Sequence, residues 1–201
     1  MGPRGPREEI QEAIDATGCV VSEDPARGGL FHVDCPDHNS RAALVEAMAW
    51  RDSHGDGDVR LLALDITREL PELRSHEPIA RLVHAAVRDR VRYVGECGDM
   101  IQDPMVTWNY AAGDCDCSAR LVLALLRSLK VPCVLVGLPV QGIDGVEISH
   151  VCPAWQREDD GLLYWLETTI PCAEFGEDPR DAADRWFGDG ARARAQRPDL
   201  A

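Results

Sequence analysis

The segment Gly113-Asp-Cys-Asp-Cys-Ser-Ala-Arg-Leu-Val-Leu-Ala-Leu-Leu constrains the chain more than any other. Asp114 is a good N-cap residue, and the apolar run behind it continues to Leu129 before Val131-Pro132 stops it. The segment therefore predicts a helix from about Asp114 to Leu129 with Cys115 in its opening turn. First-turn amides have no partner within the helix, and the dipole leaves partial positive charge there. Both favour a thiolate over a thiol. Asp116 opposes this effect, so a second activating group is needed.

His150 is the candidate for that group. It stands in Glu147-Ile-Ser-His-Val-Cys, where alternation puts Val146, Ile148, His150 and Cys152 on one face of a strand. The next strand, Leu162-Leu-Tyr-Trp-Leu-Glu-Thr-Thr, puts Leu163, Trp165 and Glu167 on one face. A hairpin pairing Trp155 with Leu162 sets His150 opposite Glu167. Opposed Cβ atoms lie roughly 4.5–5.5 Å apart, close enough for a carboxylate to orient an imidazole. A one-residue slip would turn Glu167 to the other face.

Elsewhere the pattern predicts a short helix over Arg7–Ala16 and strand-like pieces at Cys19-Val-Val and Leu30-Phe-His-Val. Asn39-Ser40 is read as the cap of a helix over Arg41–Arg51, followed by a polar loop over Asp52–Asp58. Further helices are expected over Val59–Glu69, Pro78–Val94 and Asp181–Phe187, the second with apolar residues at helical spacing from Ile79 to Val91. Strands are expected over Cys133–Val140, Val146–Trp155 and Leu162–Thr168. The division expected is a mainly helical segment over residues 1–75, a catalytic unit over 76–190 and a frayed tail over 191–201.

Composition limits the partners. The 201 residues include 21 basic and 35 acidic side chains, a formal charge of −14, and 45% are hydrophobic. This is globular composition, and the acidity excludes nucleic-acid and anionic-membrane partners that depend on clustered Lys and Arg. No apolar run approaches the ~18 residues of a membrane helix. The polar start, Met1-Gly-Pro-Arg-Gly-Pro-Arg, lacks the apolar centre of a secretory signal. A cytoplasmic protein with its eight cysteines reduced is the expectation. There is no glycine-rich phosphate loop, and no cofactor is expected.

Taken in order, Val91-Arg-Tyr-Val, Ile101-Gln-Asp-Pro, Gly113-Asp-Cys-Asp, an apolar helix, Leu129-Lys-Val-Pro, Ser149-His-Val and Tyr164-Trp-Leu-Glu-Thr-Thr resemble the transglutaminase-like cysteine enzymes. The bacterial and tailed-phage members are the most similar, and the resemblance spans roughly residues 43–179. It implies an α+β, papain-like fold in which the cysteine opens a central helix packed on an antiparallel sheet. By that pattern Cys115 is the nucleophile, His150 the base and Glu167 the orienting acid. The family acid is usually Asp, and Asp is common where this chain has Cys117. Residues two apart on a helix diverge by about 200°, so Cys115 and Cys117 do not share a cleft. Oxyanion donors would be the Cys115 backbone N–H, with Gln102 or Trp108 as side-chain candidates.

The activity implied is acyl transfer on peptide or protein amides through a thioester, ending in hydrolysis or amine transfer. The alternative is a catalytically silent binding or assembly module of a phage or prophage system. A third reading takes His32, Cys35 and His38 as zinc ligands. No second cysteine stands two to four residues from Cys35, so no metal site is expected. The remaining cysteines, Cys19 among them, read as small buried hydrophobes.

Overall fold

The computed structural model describes residues 6–70, 75–95, 100–141 and 147–187. Cys97, Val146 and the tail over 191–201 lie outside them. Within the described residues the chain is mixed α and β, with two antiparallel sheets of three strands each. Helix α1 (Pro6–Ala16) leads into the hairpin β1 (Val20–Glu23) and β2 (Leu30–Asp34). Helices α2 (His38–Gly55), α3 (Gly57–Ile66) and α4 (His76–Arg90) follow. Next come β3 (Arg92–Tyr93), β4 (Met100–Gln102), α5 (Pro104–Tyr110), β5 (Ala112–Gly113) and α6 (Cys115–Ser128). The chain closes with β6 (Cys133–Gln141), β7 (Glu147–Gln156), β8 (Leu163–Trp165) and α7 (Pro179–Phe187). The sheets run β1-β2-β4 and β6-β7-β8, and β3 and β5 form a short parallel pair.

Helix α6 is the centre of the packing. Nearly every residue from Asp116 to Leu126 is buried, as expected of a helix apolar on all sides. Its Leu121, Leu123 and Leu125 share a core with Val59 and Ala63 of α3, Ile79 and Val83 of α4, and Trp155 of β7. A second cluster joins Leu44, Val45 and Met48 of α2 to Ile101 of β4, Ala119 of α6 and Val151 of β7. A third packs Leu138 of β6 and Cys152 of β7 against Ala182 and Ala183 of α7.

Several local expectations shift for identifiable reasons. The cap of α2 is Asp37, whose carboxylate accepts from Ser40 N at 2.9 Å, and the helix runs on to Gly55. The polar stretch after Asp52 is therefore largely helical. Asp56 ends α2 and its side chain caps α3, accepting from Asp58 N and Val59 N. The last hairpin pairs Trp155 with Tyr164 rather than Leu162, and β8 ends at Trp165. Cys19 and Cys35 are neither reduced nor simply packed: they form a disulfide. The register Val20↔Asp34 sets the two cysteines side by side at the open end of the β1–β2 hairpin. This bond also removes Cys35 as a metal ligand.

Among the described residues the most deeply buried charge is that of Arg120. Arg120 of α6 donates to both carboxylate oxygens of Asp52 at 2.7 and 3.1 Å, to Asp103 at 2.5 Å and to the Gln102 carbonyl at 3.0 Å. Its guanidinium also lies 5.3 Å from the centre of the Phe31 ring. A buried guanidinium stripped of partners is far costlier than an apolar side chain, and so are the carboxylates it leaves behind. Arg120→Met is expected to destabilise the chain by about 3–5 kcal/mol, read as a lowered urea midpoint at unchanged slope.

Candidate active site

The nucleophile candidate is placed by a short, crowded turn. β5 delivers Gly113, where an added Cβ would meet Cys117 Cβ at 2.8 Å and Thr107 Cγ2 at 3.3 Å. Only glycine lets the chain pass this closely before entering the helix. Asp114 then caps α6, accepting from Cys117 N at 3.0 Å. Cys115 is the first helical residue and is half-buried, packed with the cluster that contains Val151. The backbone amide of Val151, the neighbour of His150 on β7, favours the thiolate form of Cys115. Cys117 turns the other way: it is fully buried, and Gln102 N donates to its sulfur at 3.3 Å.

His150 and Glu167 meet directly. His150 Nε2 lies 2.5 Å from Glu167 Oε2, with the two residues only 6% and 1% exposed. The observed β7–β8 register is two residues away from the one that sets them face to face. A two-residue shift preserves side-chain parity, so Glu167 remains on the face of His150 and reaches it diagonally. The other carboxylate oxygen, Oε1, accepts from Thr169 N at 2.5 Å, Thr169 Oγ1 at 2.7 Å and Ile170 N at 3.0 Å. Burial pushes the Glu167 carboxyl up, but the His150 and Thr169 bonds outweigh it and hold the group down at about 2. An ionised carboxylate only accepts, so Nε2 carries the imidazole proton and Nδ1 keeps a lone pair.

A further residue holds this acid in place. His84 of α4, 2% exposed, has Nε2 2.7 Å from the backbone carbonyl of Glu167 and donates to it. Burial lowers the His84 pKa below its usual value, which keeps the ring neutral. In the sequence His84 is one polar residue on the apolar face of a helix, and nothing in that pattern links it to a residue 83 positions away.

The thiol differs from the sequence expectation. Burial raises the Cys115 pKa, the Asp116 and Asp114 carboxylates raise it further, and the Val151 backbone amide only partly offsets them. The resting group is a thiol, not the thiolate that the helix start alone suggests. Among the described residues no hydrogen bond joins it to His150. Asp116 is itself buried, is pushed up to about 6 by burial, and pairs with Arg41 of α2. Burial also raises the Cys133 and Cys152 thiols, which marks both as unreactive.

The other candidates take these positions. Thr107 Oγ1 donates to Gln102 Oε1 at 3.1 Å, and Gln102 lines a cavity of about 470 Å³ with Met100, Val106 and Tyr110. Trp108 carries Arg90 over its ring at 4.4 Å, and its carbonyl accepts from Arg90 Nε. Tyr93, half-exposed on β3 opposite Gly113, lies near Cys115 and the two flanking acids, and burial together with their charges raises its phenol pKa. Sequence reasoning did not single it out. Among the described residues no group of His, Cys, Asp and Glu is arranged to hold a metal ion, and no helix is long and apolar enough to cross a membrane.

Neither the family models nor the curated proteins contain a match to the chain. Among solved structures it is similar to a candidate protease from Parabacteroides distasonis, with a TM-score of 0.49 and 12% identity. The similarity covers 68% of this chain and 28% of that one, so this chain spans under a third of the neighbour's length.

The carboxylate makes a pH prediction. A group with an ordinary pKa of 4.5 and a folded value of about 2 stabilises the fold fully above 4.5 and loses that contribution as pH falls through 2. The contribution is on the order of 3 kcal/mol. Urea unfolding of the wild type and Glu167→Gln should therefore show a stability gap that narrows between about pH 4.5 and 2. A gap that stays constant over this range would count against the ionised, saturated carboxylate.

Proposed function

We propose that the chain is a cysteine-dependent acyl-transfer enzyme of the transglutaminase-like kind, with a papain-like arrangement, acting on peptide or protein amides. The observation that carries this reading is the buried pair of Glu167 with His150, whose neighbour on β7, Val151, packs in one cluster with Cys115. A histidine whose tautomer is fixed by an ionised acid, next to a cysteine at a helix start, is a base with its orienter and its nucleophile.

In this reading the thiol proton passes to His150 Nδ1 as the sulfur attacks a substrate carbonyl. A C–S bond forms, and the carbonyl oxygen becomes an oxyanion facing the Cys115 backbone N–H. Collapse breaks the C–N bond, and the amine leaves with the proton from Nδ1. Water or a second amine then attacks the thioester, giving its proton through His150 to the departing sulfur. Glu167 stays ionised throughout and holds the ring. The raised thiol fits a proton transfer that begins only when substrate excludes water and brings sulfur and imidazole together.

A second reading is favoured by that same raised thiol and its lack of a bond to His150: a silent transglutaminase-like module used for binding or assembly in a phage or prophage system. The two are separable. With an activated peptidyl electrophile at pH 8, the enzyme reading expects one adduct, on Cys115, found by peptide mass mapping. Iodoacetamide at about pH 6 should label the same residue slowly, because the resting thiol is protonated. Cys115→Ala and His150→Ala should each lower adduct formation or amide turnover by roughly 10³–10⁴-fold, and Cys117→Ala by no more than a few-fold. Equal losses in Cys115→Ala and Cys117→Ala would defeat the choice of nucleophile. No adduct at Cys115 would favour the silent module.

A further inference from the structure

β7 has a second polar end. Trp155 stands five residues beyond His150, about 16 Å along the strand. Its side chain is 97% buried, since only 3% is exposed, yet its indole Nε1–H has no hydrogen-bond partner among the described residues. An unpaired buried donor is costly, and native interiors rarely leave one without an acceptor. Here the indole lines a cavity of about 350 Å³ together with Ser75, His76, Glu77, Arg157, Glu158 and Asp159.

This cavity opens at the start of α4, a helix of 15 residues whose N-cap, Ser75, makes no side-chain capping bond. Pro78 brings no N–H to the first turn of α4, and the His76 and Glu77 amides receive no side-chain cap from Ser75. His76 Nδ1 is also buried without a hydrogen bond; it stands 3.2 Å from Glu158 Oε1, near enough for an ion pair when protonated but misaligned for a hydrogen bond. The buried indole donor still lacks an acceptor among the described residues.

The rim has the opposite need. Glu77 is paired with Arg81 at 2.7 Å, and Arg157 is taken up by Asp160 and the Tyr164 hydroxyl. Glu158 and Asp159 remain, both exposed, with no Lys or Arg partner among the described residues. A simple anion at the helix start would meet these charges. A ligand with a carbonyl at one end and a cation at the other satisfies both the floor and the rim. The formal charge of −14 points the same way over longer range.

We propose that this cavity binds a basic peptide segment, with a backbone carbonyl accepting from Trp155 Nε1–H and an Arg or Lys side chain reaching Glu158 and Asp159. The site is separate from Cys115 and does not depend on the acyl-transfer reading. Its probe is N-acetyl-argininamide, titrated to about 10 mM into the full chain, well above a weak Kd of ~1 mM. The readout is the Trp155 indole resonance in a ¹H–¹⁵N spectrum. That resonance is assigned by its loss in Trp155→Phe or, if that variant fails to fold, by its contacts to the Tyr164 and Phe175 rings, whose centres lie 5.2 and 6.4 Å away.

A saturable shift of this resonance is expected, with about tenfold weaker binding when Glu158→Gln and Asp159→Asn are combined. No shift, as when water alone fills the cavity, overturns the proposal. An equal or larger shift with N-acetyl-glutamate, which would mark an anion site at the helix start, overturns it too.

Discussion

A guanidinium buried to zero exposure fixes how the two halves of this chain meet. Arg120 sits one helical turn and a half beyond Cys115 and draws its partners from the end of α2 and from the β4–α5 junction. A buried charge tolerates only arrangements in which all its partners are present, so the relative positions of α2, β4 and α6 are tied together. The same helix is held a turn earlier by Arg41 of α2 on Asp116. Three arginine–aspartate contacts therefore fix the first turns of α6, where Cys115 stands, against α2 and the β4–α5 junction. The apolar core alone is less selective, because Leu and Val contacts accept small rotations that ion pairs do not.

The site itself divides into a part that is over-determined and a part that is poised. Glu167 has one oxygen on His150, the other saturated by Thr169 and Ile170, and its backbone carbonyl on His84. Such a carboxylate has little freedom to move or to protonate. The thiol sits under the opposite influence, with burial and two neighbouring carboxylates all favouring the neutral form. The histidine lies between a fixed charge and a reluctant one. In the proposed mechanism, exclusion of water by a bound substrate strengthens the interactions of the imidazole with both and reverses the balance at the thiol.

Local patterns made α6, the strands β6 and β7 and the cap at Asp114 legible in the sequence, since each rests on spacing between near neighbours. The opposition of His150 and Glu167 was read from alternation with an incorrect register, and the meeting survives because a shift of two keeps the face. The α5 helix and the short strands β3, β4 and β5 carry too few residues to show a period. Arg120, Arg41 and His84 could not be read at all, because their partners lie 68, 75 and 83 residues away. The Cys19–Cys35 bond was missed for another reason: the cysteines were judged by the size and composition of the chain, while the hairpin that unites them is a local matter of register.

β7 shows how one strand can separate two kinds of polar chemistry. At His150 the ring Nε2 and both oxygens of Glu167 have their complement within the protein, and both residues are buried. At Trp155 the indole donor has no partner among the described residues, Ser75 gives α4 no side-chain cap, and Glu158 and Asp159 have no Lys or Arg ion-pair partner. Buried polar groups are retained when they are satisfied or when something outside the chain satisfies them. In the two proposals the satisfied end serves a reaction and the unsatisfied end serves recognition, where complementary groups arrive with the partner. Because alternate residues of a strand face opposite ways, His150 and Trp155, five apart, look to different sides of the sheet, and either end can change without repacking the other.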